Sequence, residues 1–228
     1  MSDMNGRQLA IGLIVVAVVA LGVVAYFLLG SGSDDASFLP AASYKVQVRL
    51  TPYDRRMGSP GAPIVMVEYA APSCPWCARF DMMFFPQLKQ KYIDTGKVYY
   101  VLRVYPRGGA DLGAEAIARC LPPADYFRFI DLLWRNQAKW DPENGVQDVR
   151  GGLLQMAGQA GLSAARADSC MSDTAAAERA SQVGQDAQTK YNIDGVPTFI
   201  VNGQMHANFS DWQSLQRLLD SMLAEAQH

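Results

Sequence analysis

The rhythm of apolar positions changes several times along the chain, and each rhythm predicts a different element. The first stretch has no rhythm at all. Leu9 to Gly30 reads LAIGLIVVAVVALGVVAYFLLG, without a charge on any face. As a helix it rises about 33 Å, the thickness of a bilayer core, so residues 9–30 predict a transmembrane anchor. The competing reading is a cleaved signal peptide, whose apolar region runs only about 7–15 residues. Residues 31–42 are rich in Gly, Ser, Asp and Ala, the composition of a tether.

Beyond the tether the pattern becomes that of a folded domain. YKVQVRL, Tyr44 to Leu50, alternates apolar and polar and predicts a half-buried strand. TPYDRRMGSPGAP reads as turn, with Arg55 and Arg56 in solvent. IVMVEYA, Ile64 to Ala70, is a β-branched apolar run broken only by Glu68, a buried strand. After Cys74 the period turns helical through Phe80, Met83, Phe84 and Leu88. Of the cluster Phe80, Met82, Met83, Phe84 and Phe85, most should be core, with some spilling onto the surface. KVYYVLRVY, Lys97 to Tyr105, returns to strand, completing a βαβ unit. From Asp111 to about Tyr191 nearly everything has helical spacing. VPTFIVNGQMH is strand again, with Asn202-Gly203 as a hairpin turn and His206 facing solvent. SDWQSLQRLLDSMLAEAQ closes the chain as a helix capped by Ser210 or Asp211. The order predicts an α/β sheet domain interrupted by a helical block. Its divisions are a cytoplasmic tail (1–8), the anchor (9–30), the tether (31–42), a first sheet part (43–108), the helical block (109–190) and a second sheet part (191–228).

Charge adds orientation. Arg7 precedes the apolar span and Asp34 and Asp35 follow it. Positive flanks stay in the cytoplasm, which predicts a single-pass protein of the inner (cytoplasmic) membrane. The domain then lies in the periplasm or an equivalent exterior, an oxidising space. A net charge of −2 leaves no basic footprint for nucleic acid.

Four cysteines carry the candidate chemistry. Cys74-Pro75-Trp76-Cys77 is the one closely spaced pair. Structural zinc needs four ligands. The remaining Cys120 and Cys170 are distant in sequence and the histidines are only His206 and His228, so no metal is expected. A redox dithiol fits better. At a helix N-terminus the free N–H groups favour a Cys74 thiolate, the form that attacks. Cys77, one turn in, can close a bridge to it or resolve a mixed disulfide. Pro75 fits the first helical turn, where its missing N–H costs nothing. A second signal is Pro197, which opens the strand Thr-Phe-Ile-Val-Asn-Gly in the position where a proline cannot serve a ladder.

On these residues the chain resembles the thioredoxin superfamily, and most closely the DsbA-like thiol:disulfide oxidoreductases. The likeness runs from roughly Ala62 to Gln227. It rests on the Cys-Pro-Trp-Cys turn opening a helix, Val196-Pro197 opening a strand, and a helical block inserted between the sheet halves. The resemblance implies a thioredoxin fold with an inserted helical domain. It also implies a cis Pro197 facing the cysteine sulfurs, which frees the Val196 backbone to bind an extended substrate. Oxidases of this family commonly carry Val before that proline, which leans Val196 toward an oxidase. Glu68 stands where the family often has a buried acid that relays a proton; the alternative is an edge-exposed Glu. Trp76 departs from the family, whose well-studied oxidases have His there. It implies an apolar face for substrate, together with Pro75, in place of a charge beside Cys74.

An even number of cysteines in an oxidising space suggests that Cys120 and Cys170 pair as a structural disulfide; free buried thiols and a second redox relay are the alternatives. The expected function is donation of the Cys74–Cys77 disulfide to reduced exported proteins, with a membrane partner reoxidising the pair and no cofactor. The alternatives are a reductase or isomerase kept reduced by a membrane donor, and a peptide-binding chaperone whose dithiol is idle.

Overall fold

The computed structural model describes residues 46–226. The tail, anchor and tether expected over 1–42 lie outside them. Among the described residues no helix is long and apolar enough to cross a membrane.

A five-stranded sheet forms the centre. Its strands are β1 (Arg55–Met57), β2 (Ile64–Ala70), β3 (Val98–Val104), β4 (Thr198–Val201) and β5 (Gln204–His206), in the order β1-β3-β2-β4-β5. β2 and β3 run parallel, Ile64 opposite Val98 and Ala70 opposite Val104, while β4 pairs antiparallel to β2. Between β2 and β3 run α1 (Pro75–Met83), α2 (Phe85–Leu88) and a π-helical turn (Lys89–Ile93). The single helix expected after Cys74 therefore breaks after Met83, because Pro86 cannot donate to the preceding turn.

Alternation along the strands sorts two cores. On β2 and β3, Ile64, Met66, Ala70, Val98, Tyr100 and Leu102 face α1. Val67, Tyr69 and Val101 face the opposite side. Glu68 has the parity of the first set, so the sheet aims its carboxyl at the cysteine-bearing helix.

The helical block comprises α3 (Gly109–Cys120), α4 (Tyr126–Arg135), α5 (Val149–Gln159), α6 (Ala164–Met171) and α7 (Thr174–Tyr191), before α8 (Trp212–Glu225) closes the chain. Cys120 at the end of α3 is disulfide-bonded to Cys170 on α6, across a separation of 50 residues. The α8 cap is Asp211, whose side chain accepts from the Ser214 N–H.

Two segments differ from the sequence pattern. Val46–Leu50 is not a strand: Val46 donates one hydrogen bond to Gly203, and Val46, Val48 and Leu50 pack on the sheet face beside Val67 and Ile200. Its alternation reflects one-sided burial without a ladder. Conversely Arg55 and Arg56, expected in a solvated turn, belong to β1 opposite Leu102 and Val101. The Arg55 guanidinium lies 5.0 Å from the Tyr126 ring centroid, a cation–π contact that favours the charge there.

Candidate active site

The end of β2 delivers the chain into the turn that starts α1. Cys74 is the N-cap, in extended conformation, and Pro75 occupies the first turn. The Cys74 Sγ accepts the Cys77 backbone N–H at 3.3 Å. On its other side the Cys74 thiol donates to the Val196 carbonyl at 3.4 Å. The Val196–Pro197 peptide is cis, and Thr198 Oγ1 ties the loop back to the Gly195 carbonyl at 2.7 Å. Residues 122 positions apart are thus brought into contact. Both cysteines of this pair are unbonded thiols.

The two sulfurs sit in unequal surroundings. The Cys74 thiol is lowered to about 7, first by the hydrogen bond from the Cys77 thiol, then by the backbone N–H groups of Cys77 and Trp76 and by the charge of Arg107. Burial opposes that shift and is outweighed. Cys77 is wholly buried, and burial followed by the Cys74 sulfur pushes its thiol well up. On electrostatic grounds Cys74 is the sulfur of the two that more readily carries a thiolate.

Glu68 is completely buried, not at an exposed edge. Burial raises its carboxyl to about 8 against the hydrogen bond it accepts from the Tyr100 hydroxyl at 2.6 Å. Its other oxygen has no partner. The charge of Glu68 is among the groups that raise the Cys77 thiol, and burial keeps Glu68 largely protonated at pH 7.

Trp76 is 55% exposed, and the Arg79 guanidinium lies 5.5 Å from its ring. Met82 and Met83 are also exposed on α1, whereas Phe80 and Phe84 are core. His206 is not solvent-facing. It is half-buried and stacked on Phe209 at 5.5 Å, with Nε2 lacking a partner and burial lowering its pKa.

Sequence reasoning missed four residues near the cysteines. Tyr100 could have been found, because it has the parity of Val98 and Leu102 on β3 and a phenol in a buried strand needs an acceptor. Asp81 could also have been found. It follows Cys77 by four positions on α1, and burial, then Asp131, raise its carboxyl to about 8. Arg107 and Asp111 had no signal, since only the tertiary fold brings the start of α3 to Ser73.

Comparison with known proteins follows this geometry. The thioredoxin family model matches residues 50–221. A Rickettsia bellii chain named as a candidate protein-disulfide oxidoreductase is 31% identical over 187 residues, 82% of this chain and 71% of its own. A Bacillus cereus chain named as a candidate disulfide bond formation protein D is 27% identical over 96% of this chain and 98% of its own. The crystal structure of Wolbachia pipientis alpha-DsbA1 superposes with a TM-score of 0.72 at 27% identity, over 78% of this chain and 95% of that one. BdbD from Bacillus subtilis shares the fold, with a TM-score of 0.65 at 22% identity over 75% of this chain and 93% of that one.

Proposed function

Because the chain belongs to the thioredoxin family, in its DsbA-like branch of enzymes that exchange dithiols and disulfides, we propose that it donates a Cys74–Cys77 disulfide to reduced exported proteins. The observation that carries this reading is the placement of the two sulfurs: the Cys74 Sγ, at a helix N-cap, accepts the Cys77 N–H and faces the carbonyl of the cis Val196–Pro197 peptide, while Cys77 is wholly buried.

A substrate thiolate attacks the Cys74 sulfur. The Cys74–Cys77 bond breaks, a substrate–Cys74 bond forms, and the electron pair leaves on Cys77. A Cys77 thiolate is poorly tolerated in its buried setting, so it takes a proton, and the buried Glu68 carboxyl, whose charge raises the Cys77 thiol, is the candidate donor. A second substrate thiolate then attacks the substrate sulfur of the mixed disulfide. Cys74 leaves as the thiolate that the helix N-terminus and the Cys77 thiol stabilise. The substrate has lost two electrons and the enzyme has gained them.

In this reading the Val196 carbonyl, which accepts from the Cys74 thiol here, and the Val196 N–H offer an extended substrate a short antiparallel pairing. Trp76, Met82 and Met83 provide apolar surface beside it. A membrane-bound partner reoxidises the pair, and residues 9–30 hold the domain at the outer face of the inner membrane.

The test is the reduction potential of Cys74–Cys77 in the full chain. A value near or above about −180 mV supports donation of the disulfide. A value near about −270 mV makes the dithiol the working form and overturns the oxidase direction in favour of a reductase or isomerase. Undiminished exchange by Cys74→Ser would remove the site assignment altogether.

A further inference from the structure

The Cys-Pro-Trp-Cys turn offers Cys74 no cation. Trp76 is neutral and turned out to solvent, and the one cation nearby on α1, Arg79, lies over its ring. A positive charge does reach the site from another element. Arg107, between β3 and α3, extends its guanidinium to Ser73, the residue before Cys74. Nη1 donates to the Ser73 carbonyl at 3.3 Å and to its hydroxyl at 3.4 Å. Nη2 pairs with Glu143 at 2.8 Å.

The mount is rigid. Asp111 is almost fully buried and takes three donors: the Ser73 N–H at 2.8 Å, the Ser73 hydroxyl at 2.9 Å and the Arg107 N–H at 2.8 Å. One carboxyl therefore clamps both the backbone that carries Arg107 and the residue that carries Cys74. These hydrogen bonds set where the charge sits relative to the sulfur.

We propose that Arg107 is the positioning residue that tunes Cys74, with a guanidinium docked on Ser73 supplying the positive charge that Trp76 leaves out of the turn. The inference rests on the exchange reading above and adds to it the residue that sets the nucleophile. Arg107 touches the neighbouring residue and not the sulfur, and acts through the field. The groups that bear on Cys74 are Cys77 on α1, Glu68 on β2, and Arg107; Asp111 and Glu143 bear on it through Arg107. Glu68 holds its proton at pH 7 and leaves the thiolate unopposed. Asp111 and Glu143 flank the only cation of the group. Removing Arg107 leaves Glu143 without its ion pair, while Asp111 keeps its three donors.

The experiment titrates the thiolate by its ultraviolet absorbance in the reduced full chain and measures the rate of attack on a small disulfide at pH 6. Arg107→Met should raise the Cys74 midpoint by about one unit, within the range for a nearby opposite charge, and slow attack roughly threefold, a tenfold loss of thiolate partly offset by its greater basicity. Arg107→Gln keeps an N–H for the Ser73 carbonyl without the charge and should behave as Arg107→Met. Arg107→Lys should restore most of the midpoint and rate. The Cys120–Cys170 bond, checked by non-reducing mass mapping, reports that each variant is folded. If Arg107→Met does not fold, the Gln and Lys pair decides alone. Midpoints equal to the native chain, or Lys and Gln variants that cannot be told apart, overturn the proposal while leaving the exchange reading intact. Loss of that reading has a different signature, full exchange by Cys74→Ser.

Discussion

Glu68→Gln tests the most unusual feature of the site, an acid with no exposure in the centre of a sheet. The unfolded carboxyl has a pKa of 4.5 and the folded one about 8, because burial outweighs the Tyr100 hydrogen bond. The raised value fixes the sign. Below pH 4.5 both states hold the proton and the group costs nothing. As pH rises from there, the unfolded chain releases the proton and the folded protein keeps it, so stability falls until about pH 8 and then levels off. At 1.36 kcal/mol per unit, the loss at pH 7 is roughly 3 kcal/mol. Gln has nearly the shape of the protonated acid, can still accept from Tyr100, and never ionises. Glu68→Gln should therefore match the native chain at pH 4.5 and exceed it by roughly 2–3 kcal/mol at pH 7. Urea unfolding at several pH values, under reductant mild enough to spare Cys120–Cys170, reads this directly. Asp81 contributes a slope of the same sign, and because its charge also raises Glu68 the cancellation is partial, so the comparison is repeated in the Asp81→Asn background. A stability difference independent of pH, or a variant weaker than native at pH 7, would refute the reasoning. The same substitution should slow release of Cys77 in single-turnover exchange about 100-fold, within the usual range for a lost general acid.

Three further outcomes follow from the geometry. Cys120→Ala with Cys170→Ala opens a loop of 50 residues and should cost about 2–4 kcal/mol of stability with little change in exchange rate, as read by denaturant melts beside a turnover assay. Trp76→His adds a titratable cation next to Cys74. It should lower the Cys74 midpoint by roughly one unit and make the disulfide a stronger oxidant, measured against glutathione. Asp81→Asn removes a buried carboxyl held at about 8. It should stabilise the protein near pH 7 and leave it unchanged near pH 4, by the same sign argument as Glu68.

Much of the fold was legible because its signals are local. Apolar β-branched runs over Ile64–Ala70 and Val98–Val104 could only be buried strands. The period after Cys74 could only be helical. Pro197 at a strand start and a cysteine pair at a helix start are positions that backbone chemistry explains residue by residue. The same locality explains the errors. Val46–Leu50 alternates as a strand does, yet a strand also needs an unpaired neighbour, and which edge is free is not written in the segment. Arg55 and Arg56 look like turn residues until Tyr126 and β3 are beside them.

The chain's own sequence determined most of the elements, the parity that turns Glu68 toward α1, and the candidate reactive pair. Those depend on periodicity and on residue types a few positions apart. The tertiary structure alone decided the charges at the sulfur. Arg107 and Asp111 reach Ser73, the residue before Cys74, from 34 and 38 positions away, Glu143 reaches Arg107, and the Val196 carbonyl reaches Cys74 from 122. Electrostatic interaction depends on distance and burial in space, and the chain's linear order encodes neither.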